Sequence, residues 1–291
     1  VCSSDLVEDR ELGVDVEVNE RGGHGRATLL PPCDGADLAC TKKRLDDRAA
    51  NKASGMHFDA LFIRHWDEWS DGRRSQLFIA NLDANGIVAG DPRRLTRDIT
   101  GDVPSRPFGG DEEYAFAPDS RTVYFGVRIP GRTEPWSTNF DVYAVATDGN
   151  SAPRNLTAGN PAWDTGPLPS RDGSKLYYLA MKRPGFESDR YAIMELDLAS
   201  GKAREVAPDW DRSAGRLKLS VDGRTLYTTA DDMGEHPLFA VDVASGRVVD
   251  LIVALMLLGL IDDLRGLGWK LRLAVQLAVA ATELVPQTMA A

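Results

Sequence analysis

One pattern returns three times between Ala115 and Val249, and it limits what this chain can fold into more than anything else in it. It reads Phe116-Ala-Pro-Asp-Ser-Arg-Thr-Val-Tyr-Phe125, then Pro169-Ser-Arg-Asp-Gly-Ser-Lys-Leu-Tyr-Tyr178, then Leu219-Ser-Val-Asp-Gly-Arg-Thr-Leu-Tyr-Thr228. The aligned aspartates, Asp119, Asp172 and Asp222, lie 53 and 50 residues apart. Each copy has a polar turn, a β-rich run and a second strand with its own turn signal: Asp148-Gly149, Ser200-Gly201 or Ser245-Gly246. Asp-Gly supplies the positive φ that tight hairpin turns need. The flanking Val, Leu, Tyr and Phe suit a pleated, half-buried surface. Several short strands per repeat of roughly 40–50 residues indicate β-propeller blades. A sandwich would supply strands and turns without repeating the same wording. A less regular copy comes first, with strands expected over residues 61–66 and 74–82. Asp91-Pro-Arg-Arg-Leu-Thr96 closes it as Pro153-Arg-Asn-Leu-Thr157 closes the next. The expected fold class is mainly β: a partial, unclosed propeller of about four blades, near residues 58–96, 111–157, 162–206 and 215–249, with a short helical C-terminal tail.

Composition fits a globular body. Of 291 residues, 43% are hydrophobic and 27% charged, enough to bury a core. The net charge is −10. From Leu251 onward the acids Asp262, Asp263 and Glu283 balance the bases Arg265, Lys270 and Arg272, so the whole excess lies in residues 1–250. An acidic body argues against nucleic acid as a partner. Cys33 and Cys40 are close in sequence, and spacing alone is compatible with a disulfide or with two free thiols. No Cys-x-x-Cys pair supports zinc, and no cofactor is expected. Residues 1–31 read as a disordered or artefactual leader, with a flexible loop at Gly22-Gly-His-Gly25. Residues 41–54 have helix-forming composition with Thr41 as a possible cap.

Several stretches are much more specific than the repeat. His65-Trp-Asp-Glu-Trp-Ser-Asp-Gly-Arg-Arg74, Asp102-Val-Pro-Ser-Arg-Pro-Phe-Gly-Gly-Asp-Glu-Glu113, Gly131-Arg-Thr-Glu-Pro-Trp-Ser-Thr-Asn139 and Asn160-Pro-Ala-Trp-Asp164 resemble the propeller of the S9 (prolyl oligopeptidase-like) serine peptidases. The dipeptidyl/acylaminoacyl-peptidase type is the most similar group, over residues 32–249. The resemblance implies a propeller over 32–250 that gates and orients peptide substrates for an α/β-hydrolase domain, in a periplasmic or secreted parent. This sequence contains no Gly-x-Ser-x-Gly nucleophile elbow, so no catalytic residue is assigned. Related exopeptidases hold a substrate's free amine with a pair of propeller glutamates. Glu112 and Glu113 are the candidates here, against the alternative that they are structural or solvent-facing acids. His236 with Asp231 and Asp232 reads as a polar inter-strand loop, since a base needs a positioned nucleophile. Trp66, Trp69, Trp136, Trp163 and Trp210 read as blade-packing residues. The sequon Asn155-Leu-Thr157 falls on the repeated blade ending and reads as structural.

After Asp250 the character changes. Leu251 to Ile261 is an unbroken apolar run, followed by Asp262-Asp263 and a second apolar stretch. Residues 251–291 resemble a fragment of the polyprenyl-phosphate N-acetylhexosamine-1-phosphate transferases, which are membrane enzymes. That resemblance would make Asp262 and Asp263 metal-site residues and confine membrane contact to this tail. A run of 11 residues is short of the roughly 20 needed to span a bilayer. The expectation is therefore a chimera joined near residue 250. A stand-alone binding propeller, or a transferase fragment acting through the tail, are the alternative readings.

Overall fold

The computed structural model describes residues 15–19, 22–29, 38–53, 55, 58, 61, 63–65, 68–70, 72–83, 85, 87–106, 109–129, 131–251, 256 and 260. The observed class is the expected one. Among the described residues lie four antiparallel four-stranded sheets, each the size of one blade of a partial propeller. The first sheet joins β1 (Asp15–Asn19), β2 (Gly22–Leu29), β5 (Arg74–Leu82) and β6 (Val88–Arg94) in that order. Helix α1 (Leu38–Ala50) and a separate small hairpin, β3 (Arg64–His65) with β4 (Glu68–Trp69), lie in the connection from β2 to β5. The second sheet runs β7 (Tyr114–Phe116), β8 (Thr122–Arg128), β9 (Phe140–Ala146), β10 (Arg154–Asn155). The third runs β11 (Asp164–Pro169), β12 (Lys175–Ala180), β13 (Ala192–Asp197), β14 (Ala203–Glu205). The fourth runs β15 (Lys218–Leu219), β16 (Thr225–Thr229), β17 (Leu238–Asp242), β18 (Val248–Asp250). Residues 6–204 and 205–291 fall into two compact units, so the fourth sheet is described by itself.

Three expectations change. The first blade takes its first two strands from within residues 1–31: the stretch around Gly22–Gly25 is strand β2, paired along its length with β5 from Gly23↔Ala80 to Leu29↔Arg74. Backbone pairing with a distant strand overrides the local glycine-rich composition. Of the described residues in 61–66, Arg64 and His65 form the two-residue strand β3, which pairs with β4. Helix α1 starts at Leu38, three residues before the expected cap, and Thr41 is an interior position only 1% exposed.

The repeated turns work as their chemistry demands. Ser170 Oγ and Ser174 N donate to Asp172 Oδ1 at 2.6 and 3.1 Å; Ser220 Oγ and Arg224 N donate to Asp222 Oδ1 at the same distances. The Ser170 hydroxyl, with the Ser174 donors, pulls the Asp172 carboxyl down to about 2. Gly173 and Gly223 take φ of 71° and 72°, and Ser120, standing where they stand, takes 59°. In the second turns, Gly246 needs to be glycine twice over: its φ is 71°, and a Cβ would collide with the carbonyl of Val206.

Alternation along β8 joins the blades. Val123, Phe125 and Val127 point one way, into a cluster with Leu77, Ile79, Leu95, Ile99 and Val103 beside the first sheet. Tyr124 points the other way, into a cluster with Leu176, Tyr178, Ala180 and Leu196 of the third. A period of two thus lets one strand feed two seams, each fully buried aliphatic side chain contributing roughly 1.5–3 kcal/mol. The closing Leu-Thr pairs clasp the outer edge. Leu95 N and Leu156 N donate to the carbonyls of Leu77 and Val142. Thr96 Oγ1 and Thr157 Oγ1 accept from Leu77 N and Val142 N at 3.2 and 2.9 Å. Asn155 Nδ2 donates to Asp141 Oδ2 at 2.9 Å, so the sequon asparagine is a blade residue.

Candidate functional site

The connection from β6 to β7 carries the acidic pair. It is stitched to the start of β5 before it reaches them. Asp102 Oδ1 accepts from Ser75 N at 2.6 Å and its Oδ2 from Arg74 Nη1 at 2.8 Å. Arg74 also reaches Glu134 with both terminal nitrogens, at 3.2 and 3.4 Å. Arg106 Nε donates to Ser75 Oγ at 3.1 Å. The chain then turns at Gly109 and enters a single 3-10 turn, Asp111–Glu113, that leads into β7.

The two glutamates have different situations. Glu113 is 5% exposed. Its Oε2 accepts from Ser105 N and its Oε1 from Ser105 Oγ, both at 2.6 Å. Burial pushes its carboxyl up, the two Ser105 bonds hold it down, and the charge of Glu112 adds to the upward push. Gly109 makes this possible, because a Cβ there would collide with Glu113 Oε2 and Ser105 N. Both carboxylate oxygens of Glu113 are thus engaged within the chain. Glu112 is half-buried; its Oε1 accepts from Gly110 N at 2.9 Å, and no base among the described residues is paired with it. One of its carboxylate oxygens keeps its acceptor capacity for a donor outside the chain.

An aromatic row leads toward this corner. Arg128 sits 4.9 Å from the centre of the Phe140 ring, Phe140 stacks on Trp163 at 4.3 Å, and Trp163 meets Tyr191 edge-on at 6.2 Å. The Tyr191 hydroxyl is pushed up by burial and then by the charges of Glu113 and Glu187, which puts it within electrostatic reach of the acidic corner. An acidic group beside aromatic faces can receive an ammonium through charge-assisted hydrogen bonds and ring quadrupoles.

The remaining candidates are dispersed. Trp163 packs as expected, and so does Trp210, edge-on to Phe239 at 5.2 Å within the fourth blade's unit. Trp69 and Trp136 are 54% and 64% exposed: Trp69 ends the small hairpin strand β4 and stacks on Phe58 at 6.0 Å, and Trp136 lies in the connection from β8 to β9. Trp66 lies outside the described residues. His236 Nδ1 lies 2.8 Å from Asp231 Oδ1 in the solvent-exposed turn between β16 and β17, while Asp232 pairs with Arg212 at 2.8 Å. Cys40 is disulfide-bonded. Cys33, Asp262 and Asp263 lie outside the described residues; of the tail, only Leu251, Met256 and Leu260 are described, each helical. Among the described residues no group of three His, Cys, Asp or Glu could hold a metal ion, and no helix is long and apolar enough to cross a membrane. The Arg74–Asp102–Glu134 cluster had no signal in the sequence, since its members are 28 and 60 residues apart.

No family model matches the chain. It is 32% identical over 221 residues to the probable dipeptidyl-peptidase 5 of Arthroderma benhamiae, and equally to the dipeptidyl-peptidase 5 of Trichophyton schoenleinii. Each alignment covers 70% of this chain and 30% of the relative, so the chain spans under a third of the length of the curated relatives it matches. Among solved structures, an acylaminoacyl peptidase in complex with Z-Gly-Gly-Phe-chloromethyl ketone superposes with a TM-score of 0.50 at 14% identity, over 81% of this chain and 30% of that one. That likeness shows a shared fold. The sequence relatives are peptidases of the type the motifs resemble; nothing similar supports the transferase reading of the tail.

Proposed function

We propose that this chain supplies the peptide-handling propeller of a dipeptidyl-peptidase-type serine peptidase of the S9 family. Its ligands are peptides with a free N-terminus, and its partner in chemistry is an α/β-hydrolase domain. The parent acts outside the cytoplasm, in keeping with the disulfide at Cys40. The observation that carries the reading is the 32% identity with dipeptidyl-peptidases over 221 residues.

Within this reading the propeller contributes recognition. A dipeptidyl peptidase must count two residues from the amino end, so something fixed has to hold the ammonium. Glu112 fits that task better than Glu113. Its carboxylate is half-buried and retains a free oxygen, whereas both oxygens of Glu113 are occupied by Ser105. A hydrogen bond to a charged group is worth about 1.5–3 kcal/mol, or roughly 10- to 100-fold in affinity. Calorimetry with a free-amine tripeptide and its N-acetylated form is expected to show at least a tenfold preference for the free amine. Equal affinities would remove the amine anchor from the account.

A further inference from the structure

The seam between the second and third blades buries two carboxylates with too few donors for both. Asp141 on β9 is 7% exposed, and Asp164 on β11 is fully buried. Thr157, at the end of the second blade, stands between them. Its Oγ1 accepts from Val142 N at 2.9 Å and donates to Asp141 Oδ1 at 3.4 Å. A threonine hydroxyl carries one hydrogen, and here it goes to Asp141, which leaves Asp164 short of a donor. The other donors do not make up the difference. Asn155 Nδ2 serves Asp141, while Asn160 Nδ2 divides between Asp164 Oδ1 at 2.8 Å and the carbonyl of Met181 at 2.9 Å. Asp164 Oδ2 is buried with no partner at all. Facing Asp164 from the neighbouring strands are Asp141 on β9 and Tyr178 on β12; neither brings a positive charge. The rest of the seam is apolar, with Val142, Leu176 and Ala180 buried around it.

We propose that Asp164 carries a proton in the folded chain, so that only one of the two carboxylates is charged and this proton seals the seam between two blades. A neutral carboxyl, with Oδ1 held by Asn160 and Oδ2 in an apolar gap, leaves no unpaired charge there. Thr157 O–H donates to Asp141, which keeps its charge, and the hydroxyl oxygen accepts from Val142 N. Burial, with the charge of Asp141 adding to it, pushes the Asp164 carboxyl up to about 7 against the hydrogen bond from Asn160. The seam is then closed in mildly acidic surroundings and weakened as pH rises through neutrality, when a second negative charge appears in an apolar gap.

The sign follows from linkage. Asp164 starts from an ordinary value of 3.8 and is raised on folding, so folding takes up a proton between that value and about 7. Its contribution is complete below the lower value and is lost as pH passes the upper one. Each pH unit inside the window changes the folding equilibrium by up to about tenfold. Denaturant unfolding of the full chain at pH 5.5 and pH 8.5 is expected to show the wild type losing at least tenfold more of its folding equilibrium constant than Asp164→Asn. Parallel profiles would overturn the proposal. Should Asp164→Asn fail to fold, infrared spectroscopy of the wild type decides: a carboxylic-acid C=O band is expected to persist to near-neutral pH. Asp141→Asn should move its midpoint to lower pH, and Glu113→Gln should leave the band in place. Absence of the band at pH 5.5, or its loss in Glu113→Gln with no response to Asp141→Asn, would equally overturn it.

Discussion

Replacing Phe125 with alanine is expected to destabilise the residue 6–204 unit by about 3–5 kcal/mol, the range for emptying a buried aromatic site. Phe125 has no exposed surface, and its ring stacks on Tyr143 at 5.7 Å. It is the largest side chain in the cluster where β8 meets Leu77 and Ile79 of β5 and the Leu95–Val103 connection. Two sheets converge on it, so neither can move in to fill the space without giving up its own register. Chemical denaturation followed by tyrosine and tryptophan fluorescence measures the loss. A change below about 1 kcal/mol would mean the site collapses freely, and that the first and second blades do not pack through β8.

Replacing Arg74 with methionine is expected to cost a similar amount, about 3–5 kcal/mol, for an electrostatic reason. Asp102 and Glu134 keep only 10% and 7% of their side-chain surface, and Arg74 is the base that both touch most closely. Arg128 stays 3.9 Å from Glu134, and Arg106 3.9 Å from Asp102, so neither replaces the direct bonds. Removing the guanidinium leaves two buried anions with weak partners, while methionine keeps most of the packed stem. Adding Glu134→Gln to Arg74→Met should restore part of the loss, because one stranded charge goes with it. If the double variant is no better than the single one, the loss lies in packing and not in charge.

The sequence made the blades legible because their information is local. Asp172 and Asp222 lie two residues from the serines they bond, and Gly173 and Gly223 take the positive φ that Asp-Gly announces. Alternation along β8 and β12 likewise reads directly as two buried faces. The first blade was harder. Its two opening strands sit among glycines, and they become strands only by pairing with β5 across an insertion holding α1. No period of two marks Gly22–Leu29, so local composition argued for a loop. The acidic pair was half legible. Adjacent glutamates at the entrance to a strand could be seen, but the division between them could not. It depends on Ser105 folding back eight residues and on Gly109 leaving room for it. The same limit applies to Asp164, whose burial and unpartnered Oδ2 follow from two blades meeting.

Recognition of the free amine rests on that division between Glu112 and Glu113. The measurement that tests it most directly is a paired one: melting temperature and free-amine tripeptide affinity, determined on Glu112→Gln and Glu113→Ala. Glu113→Ala strips Ser105 of its acceptor and should lower stability by about 1–3 kcal/mol, with peptide affinity retained in the folded fraction. Glu112→Gln should melt with the wild type and lose at least tenfold in affinity for the free-amine peptide alone. Peptide affinity lost in Glu113→Ala and unchanged in Glu112→Gln would contradict the account, since the buried, doubly bonded acid would then be the one that meets substrate.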